Sequence, residues 1–147
     1  QGCETDFPVK TPKKPRRIEQ RTLLLFSCTF PEGKRILLHR RPEKGVLRGM
    51  WEFPALEGKL SQDDALRQAL RMVEPYGLFV RKIAPLRDAK HIFTHIEWQM
   101  PAWLLSATAD SLPETQAALP EDFSLVQRLA DITLPSAFKA YRTVFGE

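Results

Sequence analysis

The sequence has 147 residues, 43% hydrophobic and 27% charged, with a formal net charge of +4 and a mean hydropathy of −0.31. This is the size and composition of one globular domain with its own core. No window approaches the roughly 18 uninterrupted apolar residues of a membrane span, and the N-terminus lacks the charged, apolar and small order of a signal peptide, so a soluble, intracellular protein is expected. Cys3 and Cys28 have neither metal-ligand spacing nor a disulfide framework, and Cys28, inside an apolar run, reads as a core thiol.

In chain order, the first segment is basic. From Gln1 to Arg21, Lys10, Lys13, Lys14, Arg16, Arg17 and Arg21 stand against Glu4, Asp6 and Glu19, with Pro8, Pro12 and Pro15 among them. Residues 1–17 therefore read as an extended linker or arm, either solvated or lying along phosphates or a partner. The abrupt start at Gln1 reads as a fragment of a longer chain. A domain over 18–147 is expected to follow.

Arg21 to Phe30 and Arg35 to Arg40 are apolar runs around the turn residues Pro31 to Lys34, which predicts a hairpin. The segment Leu37 to Gly58 then carries an Arg- and Gly-rich loop and the run Trp51-Glu52-Phe53-Pro54. Ser61 caps a helix with Ala65, Leu66, Ala69, Leu70 and Val73 at helical spacing, ended by Pro75 and Gly77. Val80 to Leu86 and His91 to Leu105 read as strands, the second bending at Pro101. Asp110 to Asp122 reads as a polar loop, Leu125 to Ile132 as a short, partly helical piece, and Pro135 to Phe145 as a last helix. Together these predict an α+β domain with a mixed sheet and flanking helices. Trp98 and Trp103 are assigned to core or interface packing.

The run Gly49-Met50-Trp51-Glu52-Phe53-Pro54, followed by Gly58 and a helix, resembles the entry to a Nudix domain, the MutT-type fold. Such domains often hydrolyse nucleoside diphosphate derivatives, using a helix with the signature Gly, five residues, Glu, seven residues, then Arg-Glu-hydrophobic-x-Glu-Glu-x-Gly. Its carboxylates must converge on one helix face to hold magnesium. Counting from Gly58 puts Asp64 at the first acidic position, but Val73, Tyr76 and Gly77 fall where later signature residues belong; counting back from Gly77 retains only Glu74. Arg67 and Arg71 add positive charge, so Asp63 and Asp64 read as first-turn acids favoured by the helix dipole, and no metal site is expected.

The flanks carry a narrower resemblance. Phe7-Pro8-Val9-Lys10 with Lys13 and Lys14, then His91-Ile92-Phe93-Thr94-His95, then Leu134-Pro135-Ser136-Ala137-Phe138-Lys139 occur in the order seen in the C-terminal domain of MutY-type adenine DNA glycosylases. That resemblance implies base excision repair, in the bacterial cytoplasm at the nucleoid or in a eukaryotic nucleus. A separate N-terminal domain with an iron–sulfur cluster would excise adenine, while this domain, without catalysis or cofactor of its own, recognises 8-oxoguanine on the opposite strand of duplex DNA. A monomer is expected.

Oxidation turns guanine N7 from an acceptor into a donor and adds a carbonyl at C8, so a reader needs short groups sensitive to that exchange. A threonine hydroxyl donates and accepts, which makes Thr94 the first choice for a base contact. Phe93 is a candidate wedge or stacking group and His95 a phosphate or base contact; His91 reads as structural. The family position matching Thr94 is often serine, and the added methyl stiffens the rotamer. Arg40, Arg41, Lys44 and Arg48, with Lys13 and Lys14 in the arm, are the DNA-backbone candidates. The alternatives are a stand-alone Nudix pyrophosphatase acting on oxidised nucleotides with a degenerate metal box, and a linker that docks a repair partner.

Overall fold

The structure is a computed structural model and describes residues 15–147. The expected arm over 1–17 falls mostly outside them, as do its candidates Lys13 and Lys14. Strand β1 (Arg17–Phe30) and β2 (Gly33–Arg40) form the predicted hairpin, in register from Ser27↔Ile36 to Phe30↔Gly33. β3 (Trp51–Glu52) pairs with the end of β2, and β4 (Ala55–Glu57) pairs with β1 from Arg21↔Glu57 to Leu23↔Ala55. The Trp-Glu-Phe-Pro run thus fills the wedge where β1 and β2 separate, and the Leu24 N–H bonds Pro54 O at 2.8 Å.

Strands β5 (Phe79–Ile92) and β6 (Ile96–Thr108) form a long antiparallel pair, and β6 runs parallel to β1 from Arg17↔Ile96 to Thr29↔Thr108. β7 (Phe123–Val126) adds to the free side of β2, completing one seven-stranded mixed sheet.

Side chains of β1 alternate between two cores, as a strand with both faces covered requires. Leu23 and Leu25 join Leu38, Phe53, Trp98, Met100, Phe138 and Tyr141 beneath the C-terminal 3₁₀ segment Ser136–Phe145. Leu24 and Phe26 join Leu37, Leu105, Ala65, Ala69 and Val73 beneath helix α1 (Gln62–Val73). The small residues on α1 let the helix lie close to the sheet. Ser61 Oγ accepts from the Asp64 N–H at 3.2 Å, the predicted cap. A 3₁₀ turn, Glu74–Tyr76, ends at Gly77, whose φ of 89° suits glycine. Cys28 is fully buried, and burial raises its thiol pKa to about 12.

Three expectations are corrected. Residues 91–105 are not one strand: the chain reverses at Phe93–His95, and pairing with β5 places His91 opposite Trp98. Pro101, where a bend was expected, lies within β6; opposite it the β5 register shifts between Leu86 and Ala89, and on the β1 side pairing lapses between Gln20↔Gln99 and Leu23↔Ala102. The missing proline N–H is thereby accommodated by irregularity in the neighbours. Residues 110–122 contain helix α2 (Leu112–Ala118), capped by Ser111 Oγ with Pro113 in the first turn. The expected helical piece over 125–132 is β7 followed by a 3₁₀ turn, Leu129–Asp131, because Leu125 is captured by pairing with Leu37.

Candidate nucleic-acid interface

The β5–β6 turn stands at one end of the sheet. Phe93 N–H donates to Ile96 O at 2.7 Å, and Arg17 N–H, at the start of β1, donates to His95 O at 3.0 Å. The turn is therefore tied both within its hairpin and to the neighbouring strand. Thr94 and His95 are exposed at its tip. Phe93 is placed differently from the expected wedge: its ring is half-buried, edge-on to Trp98 and to His91, each 4.8 Å between ring centroids. It supports the turn from below, and the structural reading of His91 agrees with this packing.

Behind Phe93 lies a charged cluster. Trp98 is 1% exposed, and its Nε1–H donates to Glu19 Oε1 at 3.1 Å. The Arg21 and Arg41 guanidiniums lie over its ring, 4.4 and 4.9 Å from the centroid. Both donate to one oxygen of Glu52, at 3.2 and 3.1 Å, and the Glu52 side chain is 3% exposed. The other Glu52 oxygen lies 3.0 Å from His39 Nδ1, while His39 Nε2 lies 2.8 Å from Asp122 Oδ2. With a carboxylate on each ring nitrogen, both contacts are hydrogen bonds only when His39 is doubly protonated. Its pKa is raised, chiefly by the bond to Glu52, with burial opposing and Asp122 adding to the rise. Burial lowers the Arg21 pKa against the pull of Glu52; arginine nonetheless stays charged.

Glu19, Arg21, His39, Arg41 and Glu52 line a cleft of about 900 Å³ between the first half of β1, the end of β2, and residues 52–58. A magnesium site does not fit there or on α1. Glu52 is committed to two guanidiniums and an imidazole, and the Asp64 carboxylate is bound by Arg67 at 2.9 Å. Arg71 occupies the last turn of α1, and no group of three or more potential ligands converges among the described residues.

The basic candidates divide. Arg40, Lys44 and Arg48 are exposed, with Arg40 5.9 Å from the Trp51 ring centroid. Arg41 is not available to a DNA backbone: its side chain is 12% exposed, and Nε also donates to Val46 O at 2.9 Å. The loop between them is compact. Gly49 N–H bonds Pro42 O, Leu47 has a φ of 54°, and a Cβ at Gly49 would collide with the Glu43 carboxylate.

Sequence reasoning missed Glu19, Arg21, His39, Glu52 and Asp122 as a unit. Alternation with Trp51 and Phe53 places Glu52 on the nominally polar side of a strand; only the wedge between β1 and β2 buries it. The available signal was an acid flanked by two aromatics, with arginines at both ends of the hairpin.

Comparison with known proteins extends these observations. The NUDIX domain family profile matches residues 28–143. Adenine DNA glycosylase of Homo sapiens is 30% identical over 94 residues, covering 63% of this chain and 17% of that protein. The Mus musculus adenine DNA glycosylase is 28% identical over 115 residues, covering 76% and 22%. The chain thus spans about a fifth of the length of these curated relatives. Among solved structures, the C-terminal domain of mouse MUTYH, in complex with human PCNA, superposes with a TM-score of 0.61 at 19% identity, covering 86% of each chain. A Nudix hydrolase from M. smegmatis, RenU, superposes with a TM-score of 0.55 at 20% identity, covering 90% of this chain and 85% of that one.

Proposed function

The chain belongs to the NUDIX domain family, and on that premise we propose that it serves an adenine DNA glycosylase as the part that reads 8-oxoguanine opposite a mispaired adenine. The observation that carries this reading is the exposed Thr94–His95 tip on a turn held by Phe93 and Arg17, in a domain whose α1 lacks the carboxylates for magnesium. Thr94 Oγ1 accepts a hydrogen bond from the N7–H that only the oxidised base carries, and main-chain groups of the turn assist. His95 meets the adjacent phosphate. Arg40, Lys44 and Arg48 give sequence-independent backbone affinity.

Adenine excision belongs to the remainder of the parent protein, as does the iron–sulfur cluster, since two cysteines, one of them buried, cannot supply four thiolates. The working partners are the glycosylase domain of the same chain and duplex DNA containing 8-oxoguanine paired with adenine, engaged by a monomer.

The test is single-turnover excision of adenine by the full-length protein, opposite 8-oxoguanine and opposite guanine. Thr94→Val should lower the ratio of the two rates about tenfold, the scale of one lost discriminating hydrogen bond, and Thr94→Ser should retain it. A parental ratio in the valine variant would remove the base-reading role. The chain alone should not hydrolyse 8-oxo-dGTP with magnesium; turnover would favour a pyrophosphatase instead.

A further inference from the structure

We propose that Glu52 is a positioning residue for the base-reading turn, acting through Arg21, Arg41 and Trp98; this rests on the role given above to Thr94. The path has few members. One carboxylate oxygen receives both guanidiniums, at 3.2 and 3.1 Å, and both lie over the same indole. Glu19 fixes the rotation of that indole through Nε1 at 3.1 Å. The ring then meets Phe93, the first residue of the turn, edge-on at 4.8 Å. Glu19 and His91 are also the strand partners of Trp98, so the indole is seated among the segments that tie the turn to β1 and β5.

Stability alone is a poor reason for this arrangement. A buried ion cluster loses hydration that its internal attraction only partly returns, and apolar replacements of similar size are often as stable. What an apolar residue at position 52 cannot do is hold two like charges together over one ring. Without the carboxylate, Arg21 and Arg41 repel each other, the indole loses its fixed lid, and Phe93 gains freedom to shift beneath Thr94. Small displacements at such a site cost much in selective contact, because hydrogen bonds to a base edge demand distance and angle together.

The experiment uses the full-length glycosylase, with adenine excision measured opposite 8-oxoguanine and opposite guanine, beside the melting temperature. Glu52→Gln should lower the discrimination ratio about tenfold while leaving the rate opposite guanine within about twofold, as expected for misplacement of a recognition group. Trp98→Phe should act in the same direction, and it carries the test if the glutamine variant does not fold. Leu134→Ala, in the same core but outside the cluster, should lower the melting temperature and leave the ratio at the parental value. Parental ratios in the folded Glu52 and Trp98 variants, with reduced melting temperatures, would make the cluster merely structural and overturn the proposal. Thr94→Val separates this failure from that of the base-reading role: if it collapses the ratio, only the positioning role falls, and if it does not, both fall.

Discussion

Helix α1 and the charged cluster around Trp98 both carry acids beside the sheet, and they use them in opposite ways. On α1, Asp63 and Asp64 are exposed, and Asp64 forms an i,i+3 pair with a solvent-facing Arg67. In the cluster, Glu52 is buried, and both its oxygens are occupied by cationic partners or imidazole. An acid that binds metal must keep lone pairs free and meet other acids; one that braces a scaffold must have none to spare. On α1 the acids face solvent and pair locally, whereas the buried carboxylate joins several partners around one indole.

The largest expected effect that could break this contrast is Glu52→Ala. Removing one partner of a buried ion cluster should cost about 3–5 kcal/mol, read from urea denaturation. A cost below about 1 kcal/mol would place Glu52 with ordinary surface acids. Next comes the pH dependence of the same cluster. The folded pKa of His39 is raised above its ordinary 6.5 by Glu52 and Asp122, so its stabilising contribution is full below that value and is lost as pH rises through the folded pKa. The urea midpoint should therefore fall from this source as pH is raised above about 6.5. His39→Gln should flatten that part of the profile; an unchanged profile would show that the imidazole is not titrating against these carboxylates. The smallest effect is Asp64→Ala, about 0.5 kcal/mol or less by the same denaturation measurement, as for an exposed helix pair. A loss matching that of Glu52→Ala would erase the distinction between the two regions.

Where local chemistry alone decides, the sequence was sufficient. Ser61 caps α1, Gly77 ends the 3₁₀ turn that follows it, and Pro31 and Glu32 turn the first hairpin. The β5–β6 reversal was not legible, because Phe93, Thr94, His95 and Ile96 contain no glycine or proline, and the turn is imposed by pairing on both sides of it. Helix α2 carried a readable signal, Ser111 three residues before Glu114, that was outweighed by Pro113 and Pro120. The charged cluster assembles from β1, β2, β3, β6 and the loop before β7, so no window of sequence contains it. Its neglect also misassigned Arg41, whose neighbours Arg40 and Arg48 do face solvent.

The parallel pairing of β1 with β6 has a kinetic consequence. Gln20 and Gln99, hydrogen-bonded across it, are 79 residues apart in the chain, whereas the β1–β2 and β5–β6 hairpins are local. Hairpins close in microseconds, but joining such distant segments carries a loop-closure entropy that slows the final assembly. The bond from Arg17 to His95 sits at the far end of this long-range pairing. Refolding should thus form the turn early and anchor it late, so hydrogen-exchange protection of the Arg17 amide should appear with the slowest folding phase rather than with the hairpin itself.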